Sequence, residues 1–470
     1  MSTTTKNRKQ QSLDGVDFGA EQSNNQLTEK QRQELADLKK VAPANEFGGA
    51  IGTPLLTFGL PIVVYWLWAS LEFNQGFPLR PESLSLEGFQ KFFGLLYTLV
   101  MEHAYPTKEA AIIYFSWFFF QVALQHFVPG KHVLGSPLPG GARLPYVLNG
   151  WASWWITMIA VPVAVYFGLF KATILYDNYG PMLTVVNLWS FVFTALLKIH
   201  AVVKNEEERM SGYFFYDFWM GFARNPRIGS FDLKLFCEAR PGLILWVLMN
   251  FSIAAKQFEQ FGYIPFSTVI VSAFHFWYIA DYYYHEEAIL TTMDIITEKF
   301  GYMLVYGDLA WVPFTYCFQT YYILKHTDAS GNPQTLTPLY TIAVLALFAF
   351  GYYLFRWVNS QKHAFRRNPD ELIWGKKPQF ILTKRGTKLL TSGFWGICRH
   401  LNYTGDIIIS WAWCLPCQFD SIVPYFYGIY FTTLDLHRCH RDHRACVEKY
   451  GDDWKEYCRR VPYIFIPKIF

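Results

Sequence analysis

The feature that most constrains this chain is a series of long apolar runs, each close to the length needed to cross a lipid bilayer. About 20 apolar residues span the hydrocarbon core as a helix, which satisfies its own backbone hydrogen bonds there. The sequence therefore predicts an all-α polytopic membrane protein. We expect about ten transmembrane helices, the last two short and paired as a hairpin, at 51–71, 111–128, 152–170, 181–203, 242–258, 264–284, 302–324, 338–358, 406–417 and 421–436.

Composition agrees with a membrane protein and sets the N-terminal region apart. Hydrophobic residues make up 52% of the chain and charged residues 17%, whereas soluble domains carry about a quarter charged residues. Residues 1–45 are polar and hold too few apolar groups to offset the entropy of ordering. We predict a disordered tail over 1–45, with a short helix near 28–40, followed by one transmembrane domain over 46–470.

The distribution of basic residues predicts an orientation. The segment 356–399 holds ten basic residues against two acidic ones, and the tail after residue 437 is rich in arginine. With ten spans, the basic connections 204–240 and 286–299 lie on the same side. Cytosolic loops carry the excess of lysine and arginine, so we expect both termini in the cytosol.

A dense group of acids and tyrosines ends the sixth apolar run. Charged groups at membrane depth are costly and usually functional. Helical spacing places Tyr278, Asp281 and either Tyr284 or His285 on one face, and Asp294 and later Asp308 follow. The alternative is a helix end that reaches the polar interface. We take as catalytic candidates Tyr278, Asp281, Tyr284, Glu286 and Glu287.

The C-terminal part, about 356–470, mixes arginine and lysine with asparagine, tryptophan, tyrosine and glycine. Cationic side chains bind phosphates and aromatic rings offer stacking surfaces, so this pattern predicts a cytosolic pocket for a phosphorylated ligand that contains rings. The alternative is a basic loop that faces lipid headgroups. No glycine-rich dinucleotide fingerprint lies between a strand and a helix, which argues against a Rossmann domain.

Three histidines recur at every third position, at His437, His440 and His443. The arginines between them would repel a divalent cation, and no thiolate pair has the spacing of a zinc finger. We therefore expect no metal site.

Two long segments resemble the signatures of the sterol reductase family. The first is Gly-Tyr-Phe-Phe-Tyr-Asp-Phe-Trp-Met-Gly-Phe-Ala-Arg-Asn-Pro-Arg-Ile-Gly at 212–229. The second is Leu-Leu-Thr-Ser-Gly-Phe-Trp-Gly-Ile-Cys-Arg-His-Leu-Asn-Tyr-Thr-Gly-Asp at 389–406. Arg224 stands where the first signature usually has leucine. The resemblance covers about residues 46–470.

This resemblance implies an NADPH-dependent oxidoreductase of sterol biosynthesis, multi-pass in the endoplasmic reticulum membrane. Its expected partners are a sterol, the lipid bilayer and other enzymes of sterol biosynthesis, with no nucleic acid. The cofactor contacts that the resemblance implies are Lys362, Arg366, Leu390, Trp395, Asn402, Tyr403, Asp442, Cys446, Val447, Glu448, Lys449, Tyr450 and Tyr457.

The motifs disagree about which double bond is reduced. The segments at 46–49, 144–150, 177–185 and 209–212 are most similar to the C-24(28) enzymes. The segments at 281–287 and 306–311 are more similar to the C-14 and C-7 branches. We expect a Δ24(28) reductase, with Δ14, Δ7 and Δ24 reductases as alternatives.

An isolated alkene accepts hydride poorly, so the expected order is protonation to a tertiary carbocation and then hydride transfer. A buried carboxyl group stays protonated and can supply the proton. Besides the acids of the cluster, Asp442 is a candidate. Two other classes stay open: an isoprenylcysteine-type membrane methyltransferase, which has a similar terminal Arg-Val-Pro pattern, and a non-catalytic scaffold.

Overall fold

A computed structural model describes residues 28–469 as an assembly of helices with three small hairpins of strands. Single 3₁₀ turns cover Glu286–Thr291, Gly393–Gly396, Leu415–Cys417 and Val423–Tyr425, and one π-helical turn covers Gly307–Trp311. The α-helices are α1 (Glu29–Leu38), α2 (Gly49–Phe73), α3 (Leu86–His103), α4 (Lys108–Phe127), α5 (Gly150–Tyr166), α6 (Ile174–Asp177), α7 (Tyr179–Lys204), α8 (Phe214–Met220), α9 (Leu233–Ala239), α10 (Pro241–Phe261), α11 (Phe266–Tyr284), α12 (Met293–Ile296), α13 (Tyr302–Tyr306), α14 (Val312–Thr315), α15 (Phe318–Lys325), α16 (Pro338–Arg367), α17 (Leu401–Cys414), α18 (Phe426–Tyr450) and α19 (Asp452–Arg460).

The strands form antiparallel pairs in the connections between helices. Lys131 pairs with Leu148 at the start of the first hairpin, and Phe380 pairs with Leu390 in the last. The pairs are β1 (Lys131–Leu134) with β2 (Pro145–Leu148), β3 (Arg227–Ile228) with β4 (Phe231–Asp232), and β5 (Phe380–Leu382) with β6 (Lys388–Leu390).

All ten predicted apolar runs coincide with helical segments. Within the described residues, α2, α4, α7 and α16 are long and apolar enough to cross a membrane, and α5 is a shorter apolar helix. The prediction of a helical membrane protein is therefore confirmed in outline. Ten crossings and a cytosolic position of both termini stay predictions.

Several helices lie outside the predicted runs, and α1 and α3 are the two that precede the second run. The predicted short helix near 28–40 is α1, where the Thr28 side chain accepts a hydrogen bond from the backbone N–H of Gln31. The rest of the predicted disordered tail, residues 1–27, lies outside the described residues. Helix α3 was not predicted, because Glu87 and Lys91 interrupt its apolar sequence, yet it runs for 18 residues with only Gly88 and Leu96 buried.

Helix α10 lies at the centre of the core, with most of its side chains buried. Pro241 occupies its first turn, and Gly262 ends it with a φ of 76°. A Cβ atom on Gly242 would lie 1.8 Å from the carbonyl oxygen of Asp308, so only glycine lets α10 begin directly against the π-helical turn. This close approach fixes the position of Asp308.

Helices α16 and α17 cross at a second glycine contact. A Cβ on Gly405 would lie 2.6 Å from the backbone nitrogen of Phe355. Small residues let membrane helices approach closely, and here they bring the ends of α16 and α17 together with α18. This end of the assembly, which holds the charged clusters described below, is called the charged end.

Arg441 of α18 joins three segments at the charged end. Its guanidinium contacts the Glu298 carboxylate at 2.8 Å and the Glu46 carboxylate at 2.7 Å, just before α2. The Glu298 side chain is only 5% exposed. Burial raises the pKa of Glu298, and the charge of Arg441 opposes that shift. The pair therefore depends on keeping both charges together.

Replacing Glu298 with glutamine should lower the free energy of unfolding by about 2 kcal/mol, because it removes a charged partner from a buried guanidinium. Thermal unfolding of the purified protein in detergent measures the change. Glu287→Gln is the control, since its pair with Lys131 at 2.6 Å has both side chains more than half exposed. The control should lose less than about 1 kcal/mol. Equal losses in the two variants would contradict this assignment.

Candidate active site

A patch of basic and aromatic side chains lies at the end of α16. The Lys362 ammonium sits over the Trp395 ring, 3.9 Å from its centroid. The Trp395 indole donates to the carbonyl oxygen of Val358 at 2.9 Å, which fixes the ring against α16. Gln361 accepts from the backbone N–H of Phe394 at 2.8 Å and holds the turn over 393–396 in place. The sequence-predicted residues Lys362 and Trp395 are thus brought together.

The start of α17 and the end of α18 carry the other side chains of this patch. The Tyr403 ring stacks on the His400 ring with centroids 5.1 Å apart, and His400 lies 3.8 Å from the Asp442 carboxylate. Burial lowers the pKa of His400 to about 3, and the nearby cation of Lys362 adds to the effect, so the imidazole is neutral. Burial raises the pKa of Asp442, and the charge of Lys362 opposes this shift. We call Lys362, Trp395, Tyr403, Asp442 and Cys446 the basic patch.

The basic patch fits a phosphorylated ligand that contains rings. Within residues 28–469, Lys362 has no carboxylate at salt-bridge distance, so its charge is available. The Asn402 carbonyl oxygen and the Thr391 hydroxyl are buried with no hydrogen-bond partner in the same range. Buried polar groups normally find hydrogen-bond partners. The ammonium of Lys362 is therefore suited to bind a phosphate, and the two unpaired oxygens are suited to bind polar atoms of the ligand's rings.

The other predicted cofactor contacts lie around the basic patch. Leu390 is buried in β6 beneath it, and Tyr457 of α19 is buried near Asp442 and Cys446. Arg366 lies exposed one turn beyond Lys362. Four positions on the last turns of α18 face outward or are half-buried: Val447, Glu448, Lys449 and Tyr450.

The predicted catalytic face of α11 was Tyr278, Asp281 and either Tyr284 or His285, and the structure places His285 beside Asp281. The Tyr278 hydroxyl donates to the Asp406 carboxylate at 3.2 Å. Asp281 forms an ion pair with Arg356 of α16 and lies 3.4 Å from His285. Because an ion pair holds a carboxylate in its charged form, Asp281 is better suited to joining α11 to α16 than to giving a proton.

The other three predicted candidates lie elsewhere. The Tyr284 ring is 70% exposed and points away from Tyr278. Glu287 forms the exposed pair with Lys131. Glu286 is buried, but its carboxylate accepts from the backbone N–H of Gly150 at 2.8 Å and faces Arg240 at 3.4 Å. Burial raises the pKa of Glu286, and the charge of Arg240 opposes this shift. These contacts suit a structural role.

A group of acids that spacing did not bring together lies between α9, α11 and the π-helical turn. The Arg438 guanidinium donates to Asp294 at 2.6 Å and lies within electrostatic range of Glu238 and Asp308. The Tyr282 hydroxyl is buried next to Glu238 and Asp308. We call Glu238, Tyr282, Asp294, Asp308 and Arg438 the carboxyl chamber. Such π-helical turns often occur at functional sites.

The carboxyl chamber holds two carboxyl groups without a hydrogen-bonded partner. Glu238 Oε2 and Asp308 Oδ2 are buried and make no hydrogen bond within the described part of the chain. Lys234 lies nearby, but its ammonium donates to the carbonyl oxygens of residues 294, 295 and 298 at 2.6, 3.0 and 2.9 Å. Burial, reinforced by the charge of Asp294, raises the pKa of Glu238 well above the ordinary carboxyl range. Glu238 is therefore suited to carry a proton at neutral pH.

The carboxyl chamber and the basic patch form one continuous polar region. Tyr403 lies within electrostatic range of Asp442 on one side and of Arg438 and Asp435 on the other. Arg438 also lies within range of Asp406, the partner of Tyr278. Arg438 thus connects the carboxyl chamber to Tyr403 of the basic patch. Glu238 was missed because the short helix α9 carries it without any recognisable spacing. Tyr282 lies on α11, in the stretch singled out from the sequence, but was not chosen there as a candidate. The apolar sequence around Glu238 was the one available signal.

Comparison with known proteins identifies the family. The sequence pattern of the Ergosterol biosynthesis ERG4/ERG24 family matches residues 42–470, almost the whole chain. The chain belongs to this sterol reductase family.

Several relatives resemble the chain over nearly its full length. A Delta(14)-sterol reductase of Dictyostelium discoideum is 77% identical over 448 residues, 95% of this chain and 97% of the relative. One of Methylotuvimicrobium alcaliphilum is 46% identical over 429 residues, 91% of this chain and 97% of the relative. A 7-dehydrocholesterol reductase of Xenopus laevis is 42% identical over 391 residues, 77% of this chain and 81% of the relative.

The two family signatures have different positions in this sterol reductase fold. The second, at 389–406, runs through β6 and into α17 and supplies one wall of the basic patch. The first, at 212–229, is held by Asp217, which accepts from the backbone N–H groups of Ser211 and Gly212 at 2.9 and 3.1 Å. The departure at Arg224 is accommodated by a 3.1 Å contact with Glu208.

Proposed function

We propose that this enzyme is a Δ14-sterol reductase that uses NADPH. The observation that carries the proposal is the pair of Delta(14)-sterol reductases at 77% and 46% identity, each matched over almost its whole length. As a member of the sterol reductase family, the chain is an enzyme that reduces a sterol carbon–carbon double bond. The methyltransferase and scaffold alternatives therefore gain no support.

The choice of the C-14 bond changes the preference reached from sequence motifs. Those motifs favoured reduction of the Δ24(28) bond, whereas the named relatives support the alternative, reduction of the Δ14 bond. The two segments that had resembled the C-14 and C-7 branches, 281–287 and 306–311, contribute Tyr282 and Asp308 to the carboxyl chamber. The motifs nearest the proposed chemistry thus agree with the named relatives, and the more distant motifs do not.

The basic patch would hold the cofactor. Lys362 and Arg366 would bind its phosphates, Trp395 and Tyr403 would contact its rings, and Asn402 would offer its unused carbonyl oxygen. When bound, NADPH supplies a hydride to the sterol. The stacked position of Tyr403 between the two sites would orient the ring ligand toward the carboxyl chamber.

Glu238 would supply the proton. Its carboxyl group would protonate the less substituted alkene carbon, leaving positive charge on the more substituted one, to which the hydride adds. The rings of Trp311 and Tyr430, with centroids 4.9 Å apart, lie beside the chamber and can stabilise a cation. Tyr278, bonded to Asp406, would position that carboxylate on the other side of Arg438. Asp281, Tyr284, Glu286 and Glu287 are not needed for this scheme.

The cellular setting follows from the family and the helices. We infer a multi-pass protein of the endoplasmic reticulum membrane, with the charged end in the cytosol, where NADPH is available, and both termini on that side. The sterol would enter from the bilayer. Association with other enzymes of sterol biosynthesis would shorten the path of a poorly soluble substrate.

Sterol profiling in defined hosts tests the bond. The full chain is expressed in three strains that lack their own Δ14, Δ7 or Δ24(28) reductase, and sterols are separated by mass spectrometry. We expect the accumulated Δ14 sterol to disappear only in the first strain. An empty vector is the control. Conversion in the Δ24(28) strain alone would overturn the proposal in favour of the reading from motifs.

A further inference from the structure

A second group of unpaired polar side chains lies where α13, the helix that leads into the π-helical turn, packs against α7. Asn187 of α7 is 5% exposed, and neither its amide nitrogen nor its carbonyl oxygen makes a hydrogen bond within residues 28–469. The Tyr302 and Tyr306 side chains of α13 are at most 1% exposed, and their hydroxyls are equally unpaired in that range. Four polar atoms without partners are thus gathered in an apolar region.

These side chains form one site. The Tyr302 and Tyr306 rings stack with centroids 5.2 Å apart and planes 16° apart. Both lie within electrostatic range of Tyr65 of α2, whose hydroxyl also interacts with the Asn187 side chain. Tyr65 itself is satisfied, because its hydroxyl lies 2.6 Å from the Thr184 hydroxyl. The unmet hydrogen-bonding capacity therefore belongs to Asn187, Tyr302 and Tyr306.

Unpaired polar groups are costly at membrane depth, where water is scarce. Packing does not require them, since leucine and phenylalanine would fill the same space. An amide with both a donor and an acceptor, beside two phenols, matches the needs of a single alcohol group, which donates once and accepts twice. The site is thus complementary to a hydroxyl on an otherwise apolar ligand.

We propose that Asn187, Tyr302 and Tyr306 bind the ring hydroxyl of the sterol and so set which double bond reaches Glu238 and Asp308. This inference rests on the proposed reductase function. Tyr302 and Asp308 are six residues apart on a nearly continuous helical segment, which is about 9 Å of axial rise. The ring system of a sterol that lies along the side of this segment spans a distance of that order. The bound hydroxyl then determines which carbon of the sterol lies next to the acids.

A matched pair of substrates tests the site. The full-length enzyme, in membranes, is assayed with a Δ14 sterol and with the same compound lacking its hydroxyl. We expect wild type to favour the hydroxylated sterol at least about tenfold in kcat/KM, because the deoxy analogue leaves buried polar groups unpaired. Asn187→Leu and Tyr306→Phe should each bring this ratio close to one, because each lowers kcat/KM for the hydroxylated sterol more than for the deoxy compound.

Gln121→Leu is the matched control. Gln121 is also a buried amide, but it donates to Thr157 between α4 and α5 at 3.3 Å. Its loss should leave the substrate ratio at the wild-type value. A wild-type ratio in both site variants, or no preference in wild type, would overturn the hydroxyl site. Failure of wild type to reduce either compound would overturn the proposed function instead, so the two failures are distinguishable.

Discussion

Replacing Glu238 with glutamine should lower sterol turnover by about 10²–10⁴-fold, the usual contribution of a positioned acid. Glutamine preserves the size and polarity of the side chain but cannot release a proton to an alkene. Binding of NADPH should be unchanged, because Glu238 lies in the carboxyl chamber and not in the basic patch. Single-turnover assays with saturating cofactor measure the loss.

The pH dependence of the same assay adds an independent check. The acid form of Glu238 is the active one, so the rate should fall as pH rises through the pKa of this group. Burial raises that pKa above its ordinary value of 4.5, which shifts the fall toward alkaline pH. In the glutamine variant, the residual rate should lose this alkaline decline.

Glu287→Gln is the informative comparison, because motif spacing made Glu287 a candidate acid while the structure places it in an exposed pair with Lys131. We expect this variant to retain turnover within about threefold of wild type, as is usual for a surface substitution. Full activity of Glu238→Gln combined with a large loss in Glu287→Gln would return the acid role to the sequence-based candidate.

Replacing Lys362 with glutamine should raise the KM for NADPH by roughly 10- to 100-fold. A hydrogen bond from a charged group contributes about 1.5–3 kcal/mol, and Lys362 has no carboxylate to hold it away from a phosphate. Its stacking on Trp395 at 3.9 Å already fixes the ammonium in place. Once the cofactor saturates the enzyme, kcat should stay within a few fold of wild type.

The control for this prediction is Lys455→Gln. Lys455 is an exposed lysine of the same charged end, and its ammonium contacts Asp452 at 2.9 Å on α19. Its KM for NADPH should change by less than about twofold. Equal increases in both variants would indicate that the patch acts through bulk charge, and an unchanged KM in Lys362→Gln would remove Lys362 from the cofactor site.

The sequence by itself determined the helical architecture and the family. Apolar runs of bilayer length leave the backbone few alternatives to helices, so every predicted run coincided with helical structure. The missed helix α3 shows the limit of this argument, since a few charges lower its mean hydropathy without preventing a helix. The sequence also singled out Lys362, Trp395 and Tyr403 as cofactor contacts. That role stays a prediction, but the structure does bring the Lys362 ammonium over the Trp395 ring.

The tertiary structure alone decided which acids face one another. Glu238, Asp294 and Asp308 come from three separate segments, and no local spacing links them. Their meeting depends on Gly242, which lets α10 begin against the π-helical turn, and on Arg438, which reaches them from α18. Along α11, a helical period shows which residues share a face but not which neighbour each face meets. Neighbouring helices therefore turned Tyr282 inward, left Tyr284 exposed and paired Asp281 with Arg356.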